Sequence, residues 1–261
     1  MKSGQRRVVI ENVSPQINCG QHAAKRVVGQ KVEVSADILA DGHDELNAHI
    51  KYKHQKARSW KYAPMQLINN DLWAGEFTVE KQGQYEFTIE AWVDYPLTWQ
   101  HNIERKIEDD QHVDVELKDG IAYLEAVKKK SPQQTEYLDE LIEAFQNPEA
   151  YNFAIKEAQS QKLHDIFWKN PTKEFATTFK RELPLYVDRP KALFSTWYEF
   201  FPRSTAKKEG QHGTFKDVLE VIPYVSQLGF DTIYFPPIHP IGTAHRKGKN
   251  NTVNALPGDV G

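Results

Sequence analysis

The chain has 261 residues, 39% hydrophobic and 26% charged with a net charge of −3, enough apolar material to bury a core without covalent staples. Its single cysteine, Cys19, excludes a disulfide framework and a thiolate metal cluster, and the mild negative balance argues against a nucleic-acid footprint. The opening MKSGQRRVVIENV lacks the apolar stretch of a signal peptide, and no run approaches about 18 apolar residues, so a cytoplasmic protein with no membrane span is expected.

Residues from Val8 to about Glu116 read as strands. Val32, Val34, Ala36 and Ile38 alternate with Lys31, Glu33, Ser35 and Asp37, the period-2 pattern of a half-buried strand. Tyr85, Phe87, Ile89, Ala91 and Val93 alternate in the same way. Phe77 and Val79 lead toward them through Lys81–Gln84, which reads as a hairpin connection. Further strands are expected around Ile50–Tyr52 and Trp60–Leu67, set apart by turn signals at Asp41-Gly42 and Asn69-Asn70-Asp71. Short strands at this spacing favour a β-sandwich.

From about Gly120 to Phe179 the pattern becomes helical. Ser131-Pro132-Gln133-Gln134 reads as a capping box, with Leu138, Leu141, Ile142 and Phe145 on one face of the helix it opens. Asn147-Pro148 and Asn170-Pro171 read as two more N-cap-then-proline starts, so three or four helices with short turns form a small bundle. Leu183–Val187 is expected to be a final strand before a linker at Asp188-Arg189-Pro190.

A third pattern starts at Ala192. Phe194–Phe200 and Phe230–Phe235 read as buried strands, with a helix between them opened by Thr214-Phe215-Lys216-Asp217 and closed by Gly229. Val218, Ile222 and Val225 form its apolar stripe. Strand, helix and strand over this length predict a βαβ unit with parallel strands.

This last section carries motif strings specific enough to suggest a family. Trp197-Tyr198-Glu199-Phe200-Phe201-Pro202-Arg203-Ser204, Gly213-Thr214-Phe215 and Tyr234-Phe235-Pro236-Pro237-Ile238-His239-Pro240-Ile241-Gly242 resemble the first two strands of an α-amylase-type (β/α)8 barrel. The continuation His245–Asn251 resembles the α-1,4-glucan:maltose-1-phosphate maltosyltransferases, as do Arg7–Pro15, Asp41–Asp44, Asn70–Trp73 and Ala91–Asp94. The resemblance implies a multidomain architecture: an N-terminal β-sandwich with an α-helical bundle insert, then the start of an incomplete (β/α)8 barrel. The expected divisions are 1–118 for the sandwich, 119–182 for the helical insert, 183–191 for the final strand and linker, and 192–261 for the beginning of the barrel.

It further implies a retaining transfer of maltosyl units from maltose 1-phosphate to the non-reducing end of an α-1,4-glucan, in a homodimer joined through the sandwich and helical domains. No cofactor and no metal are implied. Retention needs two carboxyl groups roughly 5–5.5 Å apart, and in this family both are expected beyond Gly261. The chain alone is therefore expected to carry no catalytic residue and no activity. Glu199 and Asp231 read as isolated carboxylates.

The best site candidate is the loop after the second barrel-like strand. Arg246, Lys247 and Lys249 bring positive charge, while His245, Asn250 and Asn251 add hydrogen-bonding groups, a combination suited to a sugar phosphate. The family pattern points to Lys247 or Lys249 as the phosphate contact; a solvated basic loop is the plain alternative. His239 and His245 have no third ligand at metal spacing. Trp197, Tyr198 and Phe201 are expected to pack in a core. Trp60, Trp73, Trp92 and Trp99 invite a sugar-binding reading, and Trp92, opposite in phase to Tyr85 and Phe87, is expected at an interface. Two other functions stay open: another α-amylase-type hydrolase or trehalose-metabolising enzyme, and a non-catalytic dimerisation or glucan-binding module.

Overall fold

A computed structural model describes residues 6–239, 242 and 244–259. The chain divides into two compact units, Met1–Arg189 and Pro190–Gly261.

The first unit is built on nine strands: β1 (Val8–Ser14), β2 (Ala24–Val27), β3 (Lys31–Ala40), β4 (Leu46–His54), β5 (Lys61–Asn69), β6 (Leu72–Thr78), β7 (Gly83–Val93), β8 (Thr177–Thr178) and β9 (Leu183–Asp188). They pair in the order β1-β3-β6-β5-β4-β7-β9-β2, with β8 on β7. All pairs are antiparallel except β2 with β9. Val32, Val34, Ala36 and Ile38 are all buried, as alternation requires, and so are Tyr85, Phe87, Ile89 and Ala91. Val8 of β1 and Leu185 of β9, near opposite ends of the sheet, share one apolar cluster with these residues, so the sheet curls around a single core.

β5 makes the curl possible. Its first residues, Lys61–Pro64, pair with β4, and Met65–Asn69 pair with β6, so the strand passes from one part of the sheet to the other. This also corrects one expectation: β6 and β7 follow each other in sequence but do not pair, so Lys81–Gln84 links different parts of the sheet and is not a hairpin turn.

Helices begin earlier than the alternation suggested. α1 (Tyr95–Glu108) lies inside the stretch read as strand. Asp94 caps it, its Oδ1 accepting the Leu97 N–H at 3.3 Å, and Pro96 sits in the first turn. α2 (Asp114–Lys128), α3 (Thr135–Gln146), α4 (Tyr151–Ala158) and α5 (Gln161–Lys169) complete the set. Trp99, Ile103, Leu124, Leu138, Leu141, Leu163 and Phe167 form their shared core.

The cap signals fared differently from one another. Asn147 accepts the Glu149 N–H at 3.0 Å as expected. The Ser131 side chain makes no cap bond and is buried, so the proposed box does not form. Asn170 closes α5 instead of opening a helix; its Nδ2 donates to the Ile166 carbonyl at 2.8 Å. Ser160 is the cap that opens α5, accepting the Leu163 N–H at 3.2 Å.

In the second unit, β10 (Trp197–Glu199) and β11 (Thr232–Tyr234) pair in parallel, with α6 (Phe215–Gln227) between them in sequence. Thr214 opens α6 as read: its Oγ1 accepts the Lys216 N–H at 3.2 Å, and Asp217 Oδ2 accepts the Thr214 N–H at 2.6 Å. Val218 and Val225 are buried, while Ile222 is exposed. Both strands are shorter than expected, and neither is buried in this chain. These residues make a βαβ unit; they do not by themselves establish a (β/α)8 barrel.

Candidate donor-site loop

The basic string lies on the carboxyl side of β11, the end of a parallel strand where α/β folds collect their functional loops. Pro240, Ile241 and Thr243 lie outside the described residues. From His245 onward the loop doubles back and closes on itself. Arg246 Nη2 donates to the Asp259 carbonyl at 2.7 Å, and the Ala255 N–H donates to the Arg246 carbonyl at 2.9 Å. Asp259 Oδ2 accepts the Leu256 N–H at 2.7 Å, and the Gly248 N–H reaches the Thr252 carbonyl at 3.0 Å. Gly248 is required here, since a Cβ would stand 2.6 Å from the Asn254 carbonyl oxygen.

Within this frame the six candidates separate into two kinds. Arg246 is half-buried and structural, its guanidinium bound to the backbone. Lys247, Lys249, Asn250, Asn251 and His245 are exposed. Lys249–Asn251 form a 3-10 turn, and His245, Asn250 and Asn251 have left-handed backbones (φ 55, 53 and 62°), a conformation asparagine tolerates better than most residues. Neither lysine enters an ion pair among the described residues. The loop thus presents two ammonium groups and two amides from a short, folded stretch.

The carboxylates of this unit do not form a retaining pair. Asp231 lies level with Thr196, since its N–H donates to the Thr196 carbonyl at 3.2 Å, and Glu199 is three residues further along. That offset is about 10 Å along a strand and puts the two side chains on opposite faces, against the roughly 5–5.5 Å that retention needs. Asp231 also lies 4.0 Å from Lys191.

The aromatic expectations need correction. Trp197 and Phe201 are exposed, 59% and 44%, and do not pack in a core of this chain. Trp73 and Trp99 are core residues. Trp92 is fully buried within its own unit, under His49 (rings 5.0 Å apart, edge-on) and Lys173, whose ammonium lies 4.8 Å from the ring centre. It offers no face to a sugar or a partner. Trp60 is half-buried beneath the Lys53 ammonium, 4.3 Å from its ring.

Sequence reasoning passed over the polar residues on α1 and α5. They line a groove of about 840 Å3 together with the β3–β4 and β5–β6 turns. Each taken alone looks like a solvated helix face, and only the packing brings the two faces together.

The domain N/S profile of the α-1,4-glucan:maltose-1-phosphate maltosyltransferases matches residues 6–189. The chain belongs to this family. A maltosyltransferase from Myxococcus xanthus is 42% identical over 97% of the chain, and one from Chlorobaculum tepidum is 38% identical over 99%. The Streptomyces coelicolor maltosyltransferase 1 is 34% identical over 98%. Family similarity therefore extends past the profile match into the βαβ unit and its loop. The chain spans 39%, 38% and 38% of the lengths of these relatives. Among the described residues, no helix is long and apolar enough to cross a membrane, and no cluster of three or more His, Cys, Asp or Glu is placed to hold a metal ion.

Proposed function

We propose that this chain is the N-terminal part of a retaining maltosyltransferase that moves maltosyl units from maltose 1-phosphate to the non-reducing end of α-1,4-glucans. The observation that carries the reading is similarity to named maltosyltransferases along nearly the whole chain. In this reading the curled sheet and its helices are the sandwich and bundle domains, the bundle opening at α1 and not near 118 and closing near 182, with the linker to the barrel ending near 191. The βαβ unit begins the (β/α)8 barrel, and the enzyme works as a cytoplasmic homodimer. The catalytic carboxylates come from later barrel strands, consistent with the mismatched placement of Glu199 and Asp231.

The loop from His245 to Asn251 holds the donor phosphate. Lys247, with Lys249 as its neighbour, supplies the point charge, and Asn250 and Asn251 supply amide donors. Arg246 holds the loop's shape through Asp259. In the full-length enzyme, phosphate release from maltose 1-phosphate and glycogen measures the transfer. Lys247→Ala is expected to raise the KM for maltose 1-phosphate by roughly tenfold or more, the scale of one lost charge-assisted hydrogen bond, and to leave the KM for glycogen nearly unchanged. Equal losses for donor and acceptor would remove the phosphate role. Absence of phosphate release by the unaltered enzyme would remove the activity itself.

A further inference from the structure

The loop after β11 is closed by a residue outside the basic string. Leu256-Pro257-Gly258-Asp259 is a four-residue turn with proline second and glycine third, and Gly258 takes the positive φ (91°) that the third place of a type II turn needs. The Asp259 N–H donates to the Leu256 carbonyl at 3.1 Å, and the Asp259 Oδ2 accepts the Leu256 N–H at 2.7 Å. Asp259 therefore holds both backbone polar groups of Leu256.

The same residue reaches across to the basic string. Its backbone carbonyl accepts Arg246 Nη2 at 2.7 Å, and the Ala255 N–H donates to the Arg246 carbonyl at 2.9 Å. Arg246 is thus bound through both its side chain and its backbone to the segment 255–259. The Asp259 carboxylate also lies against Gly248, where a Cβ would stand 2.8 Å from Oδ2. Gly248 is the residue between Lys247 and Lys249. Asp259 therefore fixes the backbone at the point from which both ammonium stems leave.

The carboxylate achieves this without cancelling the loop's charge. It forms no ion pair with Lys247 or Lys249 among the described residues. Pairing with either lysine would offset the positive charge that a phosphate needs. Its Oδ2 is engaged by a backbone N–H instead, and both ammonium groups stay available. A lysine head swings on a flexible four-carbon stem that is costly to order. The fold can set only the anchor of that stem, and a fixed anchor favours binding by removing part of the ordering left to the ligand.

We propose that Asp259 is a positioning residue for the maltosyl donor, acting through Lys247 and Lys249 by holding the loop shut. The inference rests on the donor-loop reading and adds to it the residue that sets the lysines' geometry. Steady-state kinetics of the full-length enzyme, with phosphate release as the readout, test it. Asp259→Ala is expected to raise the KM for maltose 1-phosphate roughly threefold to tenfold, the scale of one lost hydrogen bond. The kcat and the KM for glycogen are expected to stay within about twofold. Asp259→Asn keeps an oxygen for the Leu256 N–H and is expected to bring the donor KM back to within about twofold of the unaltered enzyme. In a Lys247→Ala background, Asp259→Ala is expected to add less than about twofold, because little is left to position.

A donor KM unmoved by Asp259→Ala, where Lys247→Ala raises it, removes this inference and leaves the donor loop standing. Equal losses for donor and glycogen, or an asparagine variant as impaired as alanine, overturn it as well. So does an undiminished effect of Asp259→Ala in the Lys247→Ala background, since the carboxylate would then act on its own. If Lys247→Ala itself leaves the donor KM unchanged, the donor-loop reading falls and this inference falls with it.

Discussion

His49 shows how a single side chain on the sheet is held by what covers it. Its ring stands edge-on to Trp92 at 5.0 Å and to Tyr62 at 6.2 Å. The charged groups nearby are Lys173 and Glu90, which pair at 2.7 Å, and Lys51, 3.5 Å from Glu90. Burial disfavours the imidazolium first, the Lys173 charge adds to this, and Glu90 opposes it weakly, leaving His49 with a pKa of about 4. Its ordinary value is near 6.5, so between these two pH values the unfolded chain binds a proton that the folded chain refuses. The stability that His49 contributes is therefore fully present above about pH 6.5 and is lost as pH falls toward 4. Urea midpoints at pH 7.5 and pH 5 should differ less in His49→Gln than in the unaltered chain. An equal drop in both proteins would rule out His49 as the titrating group.

At the scale of elements, the contact between α1 and α2 turns on Gly120. Trp99 of α1 lies against it, the Nε1 donating to the Glu116 carbonyl at 2.6 Å, and a Cβ on residue 120 would fall onto the indole ring. Alanine in a helix interior normally gains about 1 kcal/mol over glycine, whereas overpacking a filled core costs about 1–3 kcal/mol. Trp99 is also enclosed by Phe145 and Phe167, so the ring cannot retreat and the second effect wins. Gly120→Ala is expected to lower stability by about 1–2 kcal/mol, read as a lower urea midpoint; an unchanged or raised midpoint would show that the contact is loose. The helical pattern is legible in the sequence only from about Gly120, which sits in the middle of α2 where Trp99 of α1 crosses. The start of α1 was hidden because the alternation of β7 runs straight into Asp94-Tyr95-Pro96 and masks a cap-and-proline signal. Alternation did locate β3 and β7, whose burial follows side-chain phase. It could not show which strands pair, because β5 divides its pairing between β4 and β6. The loop from His245 to Asn251 could be singled out as a candidate because its residues are contiguous. The groove was not, because Gln100 and Trp168 belong to different helices and meet only through packing.

At the scale of the molecule, the two units differ in how completely they cover their apolar residues. The first has two closed cores, one inside the curled sheet and one among the helices, and both are lined by fully buried side chains such as Phe87, Ile89, Leu138 and Leu163. The second leaves Phe194, Leu219 and Trp197 exposed by 76%, 65% and 59%, with Phe215, Leu228 and Ile238 also exposed. A two-stranded parallel sheet with one helix cannot cover both its faces and its edges. Apolar surface of this kind is what fluorescent dyes such as ANS and other protein molecules adhere to. The 261-residue chain is therefore expected to bind ANS more strongly than the 1–189 segment, and to self-associate with rising concentration while that segment does not. Substituting Leu219 and Phe194 together by serine should lower dye binding toward the level of 1–189 and leave the circular dichroism of the sheet in place. Equal dye fluorescence from the 261-residue chain and the 1–189 segment would mean that the apolar side chains of the second unit are covered in solution, and the uneven coverage argued here would be wrong.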